Sequence, residues 1–87
     1  MRDTKYAREL ASADVKNCRI ERIFVKAEKQ VEIRFAWWPD GKMANRPLDI
    51  PETHLLEMMS EAIRQRVFSN VFLQGLTRLL AERYLLS

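Results

Sequence analysis

The 87-residue chain holds one cysteine, one histidine, two glycines and three prolines, and each scarcity removes a class of function. A single cysteine, Cys18, excludes an intramolecular disulfide framework. A zinc site draws on about four Cys, His or carboxylate ligands, and Cys18 and His54 are single and far apart in sequence. Gly41 and Gly75 alone cannot build a glycine-rich phosphate loop. His54 is the only histidine a nucleophile triad could use. It falls in the first turn of an expected helix, between Thr53 and Leu55, where it reads as a surface or interface residue. Cys18 sits in a strand-like stretch and reads as a small core hydrophobe. No apolar run approaches the ~20 residues of a membrane span. The opening residues, Met1-Arg2-Asp3-Thr4-Lys5, lack the apolar stretch of a signal peptide. With the free thiol, that makes the cytoplasm the expected compartment.

Carboxylates are present, at Asp49, Glu52, Glu57 and Glu61. Glu57 and Glu61 share a helix face, with Arg64 and Gln65 within reach of Glu61. A solvated, charge-balanced face explains them better than general acid–base work. The expectation is therefore a non-enzymatic protein with no cofactor, no metal and no small-molecule substrate.

Apolar residues make up 47% of the chain and charged residues 31%, the balance of a globular chain rather than a disordered one. Residues 1–87 are read as a single domain, since the length is too short for two independent cores. The net charge of +3 is unevenly spread. Up to Leu48 there are eleven Lys and Arg against seven Asp and Glu, and from Asp49 onward four against five. Any basic surface belongs to the N-terminal part, and its modest excess permits nucleic acid as a partner without requiring it.

Val31, Ile33, Phe35 and Trp37 alternate with Glu32, Arg34 and Ala36, the period of a half-buried strand. Residues 18–27 are also rich in strand formers, and the short polar connector Glu28-Lys29-Gln30 predicts an antiparallel hairpin. Trp38-Pro39-Asp40-Gly41-Lys42 is the strongest turn signal in the chain. After it, residues 43–50 read as a third strand, held to an edge or cut short by Pro47. Residues 4–13 hold good helix formers with Tyr6, Leu10 and Ala13 three and four apart, which reads as a short helix or a frayed tail.

From Pro51 the apolar period becomes helical. Leu55, Met58, Met59, Ala62, Ile63 and Val67 form one stripe over 52–67. Ser69 is a credible N-cap for a second helix, over 71–85, with Phe72, Leu73, Leu76, Leu79, Leu80 and Tyr84 on its apolar side. Gly75 inside it suggests a close helix approach. Leu55, Ile63, Leu76 and Leu80 are expected core. The predicted fold is α+β: an antiparallel hairpin or three-stranded meander, then two helices packed on one face.

With Val31, Ile33, Phe35 and Trp37 turned inward beside Ile23 and Val25, the open face carries Arg22, Phe24, Lys26, Arg34 and Trp38. Exposed sheets that interleave basic and aromatic residues serve single-stranded nucleic acid, by stacking and by following the backbone. The same residues suit a protein partner or a second copy of the chain. A third reading has the N-terminal segment covering this face as ordinary core. Adjacent tryptophans on one strand must point to opposite faces, so Trp37 is expected in the core and Trp38 at an interface, where tryptophan often dominates binding. The second helix offers Asn70, Gln74, Thr77 and Arg78 for a helix-turn-helix contact with DNA, but the net negative charge of that half opposes phosphate. The function expected is a regulatory or inhibitory binding module working through the hairpin, with nucleic-acid binding by the same residues as the alternative.

Overall fold

A computed structural model describes residues 2–39, 42 and 47–85. It shows strands β1 (Ala7–Val15), β2 (Cys18–Val25), β3 (Gln30–Trp37) and β4 (Leu48–Ile50), then helices α1 (Glu52–Arg64) and α2 (Asn70–Leu85). The strands form one antiparallel sheet in the order β1-β2-β3-β4. The fold is thus a small α+β arrangement with a four-stranded meander. The chain gathers into two units, Met1–Leu55 and Leu56–Ser87.

β1 replaces the helix or frayed tail expected at residues 4–13. Its Ala, Glu and Leu are good helix formers, but intrinsic propensity is a weak term that non-local pairing overrides. Here β1 pairs with β2 along its whole length, from Ala7 opposite Val25 to Val15 opposite Cys18. A two-residue turn, Lys16-Asn17, joins them, and Lys16 takes a left-handed backbone with φ 56°. The pairing slips by one residue between Glu9 and Ala11, a β-bulge that leaves Leu10 unopposed and changes which face the following residues occupy.

The β2–β3 turn occupies residues 26–29, with Lys29 left-handed at φ 53°. Its register sets Val25 opposite Gln30, Ile23 opposite Glu32, Phe24 opposite Val31 and Ile20 opposite Phe35. β4 is the third-strand expectation shortened to three residues, with Ile33 opposite Ile50 and Phe35 opposite Leu48. Pro47 directly precedes it, where its missing N–H costs no ladder bond. The Asp40-Gly41 turn signal and residues 43–46 lie outside the described residues.

In α1, Pro51 accepts the first helical hydrogen bond from Leu55 N at 2.9 Å. The helix stops at Arg64, three residues before the expected end. Arg66 there turns left-handed at φ 59°, which a continuing helix forbids. Ser69 caps α2 as expected, its Oγ accepting from Phe72 N at 3.0 Å. The Phe68 and Phe72 rings meet across the cap with centroids 5.0 Å apart. The four expected core positions are not core. Leu55 and Leu76 are half-buried, Ile63 and Leu80 are exposed, and neither helix buries a residue. At Gly75 no atom lies within 4 Å of where a Cβ would sit, so no close approach explains it among the described residues. No described helix is long and apolar enough to cross a membrane.

Candidate interaction surface

Residues directly opposite each other on paired strands share a face, so the register decides what each side of the sheet presents. One face collects Ile23 and Val25 from β2 with Glu32, Arg34 and Ala36 from β3, and adds Ala7 and Glu9 ahead of the bulge. All of these are buried. The other face collects Ile20, Arg22 and Phe24 with Val31, Ile33, Phe35 and Trp37, bordered by Ala11 and Ala13 on β1 and by Leu48 and the buried Ile50 on β4.

The buried face is closed mainly by charge. The Arg34 guanidinium is held in two bonds to Asp49, Nε to Oδ1 at 2.7 Å and Nη2 to Oδ2 at 2.9 Å. Arg34 also lies 5.5 Å from the Tyr6 ring centroid, and Tyr6 Oη donates to Asp49. Arg19 bonds Asp14 and Glu9 and stands 5.6 Å from the Trp38 ring. Residues 2–6 run over this side, fixed by Arg2 Nη2 on Glu21 at 3.4 Å and by Lys26 Nζ on Asp3 and the Thr4 carbonyl. Backbone bonds from Glu9 N to Arg2 O and from Lys26 N to Tyr6 O complete the seal. The apolar content beneath is small, a cluster of Ala7, Ile23 and Val25.

At the centre lies Glu21, whose side chain is fully inaccessible to solvent. Burial raises its pKa, helped by its hydrogen bond to Glu9. The same carboxyl–carboxyl bond lowers the pKa of Glu9, with the Arg2 backbone and the Arg19 charge adding to it. Of the two carboxyls, Glu21 is thus the one favoured to take up a proton and Glu9 the one favoured to stay anionic. Glu21 Oε1 has no hydrogen-bond partner among the described residues. Asp49 in turn raises the pKa of Arg34 through those two bonds, keeping it charged despite burial.

The five residues expected on one open face are therefore divided. Arg22 and Phe24 lie on the apolar face, Arg22 exposed and Phe24 half-buried. Arg34 belongs to the charged, buried face, and Trp38 sits half-buried over Arg19. Lys26 lies in the turn and ties down the N-terminal segment. The difference is one of parity: the sequence pattern turns the apolar residues of β2 and β3 the same way. Val25 opposite Gln30 places Ile23 and Val25 with the charged residues of β3 instead. The tryptophans do point apart, but Trp37 is the open one, 54% exposed. Cys18, expected in the core, is exposed opposite Trp37 at the start of β2.

What remains open is a mostly apolar surface. Ile20, Trp37 and Leu48 are all about half exposed. Ala11, Ala13, Ile20, Arg22 and Ile33 line a shallow groove of about 340 Å³. Its cations are Arg22, bonded to Glu52 at 2.9 Å, and Arg8, 3.9 Å from Asp3. Ile20 and Trp37 were missed as surface residues because alternation reveals an apolar set without revealing whether that set is covered. No protein-family model, curated protein or solved structure matches the chain, so its geometry alone carries the functional reading.

Proposed function

We propose that the protein is a non-enzymatic binding module that engages a protein partner through the apolar face of its sheet, around Ile20, Phe24, Ile33 and Trp37. The observation that carries this is the asymmetry of the sheet. A charged face that ordinarily meets water is sealed by the chain's own N-terminus, while the other face exposes Ile20, Trp37 and Leu48 around a half-buried Phe24, Val31, Ile33 and Phe35. Contiguous exposed apolar surface with a polar rim is a mark of protein contact. Arg8 and Arg22 on its border favour a partner segment that combines apolar residues with carboxylates, Glu52 already occupying such a position on Arg22. The nucleic-acid alternative needs Arg22, Lys26 and Arg34 to act together, but Arg34 is buried on the charged face against Asp49 and Lys26 is tied to Asp3 and the Thr4 carbonyl.

Peptide selection against the chain tests the reading. Selected peptides should carry acidic and apolar residues, and should lose about tenfold or more in affinity on Trp37→Ala and on Arg22→Ser. Equal binding to parent and variants overturns the proposal. So does single-stranded oligonucleotide binding tighter than ~100 μM that weakens steeply with salt.

A further inference from the structure

We infer that α1 and α2 join two copies of this chain into a homodimer through their apolar sides. α1 is strongly amphipathic, with Leu55, Leu56, Met59, Ile63 and Ala62 on one side and Glu57, Ser60, Glu61 and Arg64 on the other. An apolar stripe of that width normally faces a core, yet no residue of α1 is buried. α2 carries apolar residues on most of its circumference and also buries none. Leu56, Val71, Leu79 and Tyr84 are each more than 60% exposed.

The amount of open surface matches a dimer. Ten large apolar side chains between Leu56 and Leu85 are exposed. At roughly 100 Å² apiece they offer ~1,000 Å² per chain, against the ~800 Å² each partner contributes to a standard stable interface. A lone pair of helices does not enclose a core of its own, whereas four helices from two chains can close into a bundle. Two hollows border these helices. One of about 520 Å³ lies at the α1–α2 junction, lined by Ile63, Phe68 and Leu73 together with Arg66, Ser69 and Asn70. Another of about 380 Å³ runs along α2 past Phe72, Gly75, Leu76 and Leu79, where the missing Cβ of Gly75 leaves room for an entering side chain.

Charge points to a second copy rather than to a strongly charged partner. Between Leu56 and Leu85 there are three acids, Glu57, Glu61 and Glu82, and four arginines, Arg64, Arg66, Arg78 and Arg83. Glu61 already holds Arg64 at 2.6 Å. A near-neutral apolar patch is complementary to itself, which a two-fold interface requires. An anionic membrane surface, the other occupant an amphipathic helix can take, favours a polar face rich in Lys and Arg, and Glu57 and Glu61 occupy that of α1.

Sedimentation velocity on the full chain from ~1 to ~100 μM tests the inference. The parent should sediment at twice the 10.3 kDa of one chain. Leu79→Glu and Leu56→Glu should each weaken self-association ~30-fold or more, as loss of a binding hot spot does, with the far-ultraviolet strand signal retained. Tyr84→Ser serves should either variant fail to fold, because that side chain is 79% exposed and supports little of the chain's own packing. A parent that stays monomeric at ~100 μM overturns the inference, as does a dimer indifferent to all three substitutions. A dimer lost only on Trp37→Ala moves the interface to the sheet. A monomer whose helices bind phosphatidylglycerol vesicles assigns them to a lipid surface instead.

Discussion

Replacing Arg34 by methionine keeps most of the side-chain volume and removes the most deeply buried cation described on the closed face. Arg34 has a side chain 10% exposed and Asp49 one 15% exposed, so neither is well screened by water. Without the guanidinium, Asp49 loses both of its bonds from that residue, the Tyr6 ring loses its cation, and Glu21 loses a nearby positive charge. Breaking a buried pair by removing one partner costs ~3–5 kcal/mol, because the remaining charge stays desolvated. That is a large share of the ~5–15 kcal/mol total of a typical domain. Removing both partners is much less costly, since apolar replacements of similar shape are often close to neutral. Arg34→Met with Asp49→Leu should therefore recover most of the loss, giving a coupling of ~2 kcal/mol or more. Urea unfolding followed by circular dichroism measures all four corners of the cycle. A single-variant loss below ~1 kcal/mol would refute the reasoning, and so would a double variant as unstable as the single.

Glu21→Gln keeps a hydrogen-bond donor toward Glu9 while removing the charge. Because the folded-state pKa of Glu21 is raised, its contribution is present below the ordinary Glu range and is lost as pH rises through the raised value. The variant should gain stability over the parent as pH rises through that value and converge with it in acid; parallel stability–pH curves would exclude the raised pKa of Glu21. Glu9 has the opposite sign: its lowered pKa gives stability that is lost as pH falls through it, so Glu9→Gln should narrow the parent's acid-side stability loss in the same measurement. Ile23→Ala, in the small buried cluster, should cost ~2–4 kcal/mol, while Leu48→Ala on the open face should cost under ~1 kcal/mol, both read from denaturation midpoints.

The strand at 31–37 and both helices were legible because their signals are local: strict alternation in one, repeats of three and four residues in the others. β1 was not legible, because its residues favour a helix and its strand state comes from pairing with β2. The surface was half legible. Arg22 and Phe24 were found, but grouping them with Arg34 and Trp38 needed a register that only the turn at 26–29 defines. Opposite charges at alternate positions, Arg19 and Glu21 on one strand and Glu32 and Arg34 on the next, were the available sign that the polar side is the closed one. The usual preference for burying apolar residues outweighed it. The bulge at Leu10 adds a further change of face that no spacing announces.

Iodide quenching of the two tryptophans taken singly tests the open-face account most directly. In Trp38→Phe the remaining Trp37 should be quenched readily, at about half the efficiency of a free indole, because it stands 54% exposed on the apolar face. In Trp37→Phe the remaining Trp38, half-buried against Arg19, should be several-fold less accessible and should become accessible when urea unfolds the sheet. A protected Trp37 beside a freely quenched Trp38 would contradict the account and return the recognition surface to the side of Arg34.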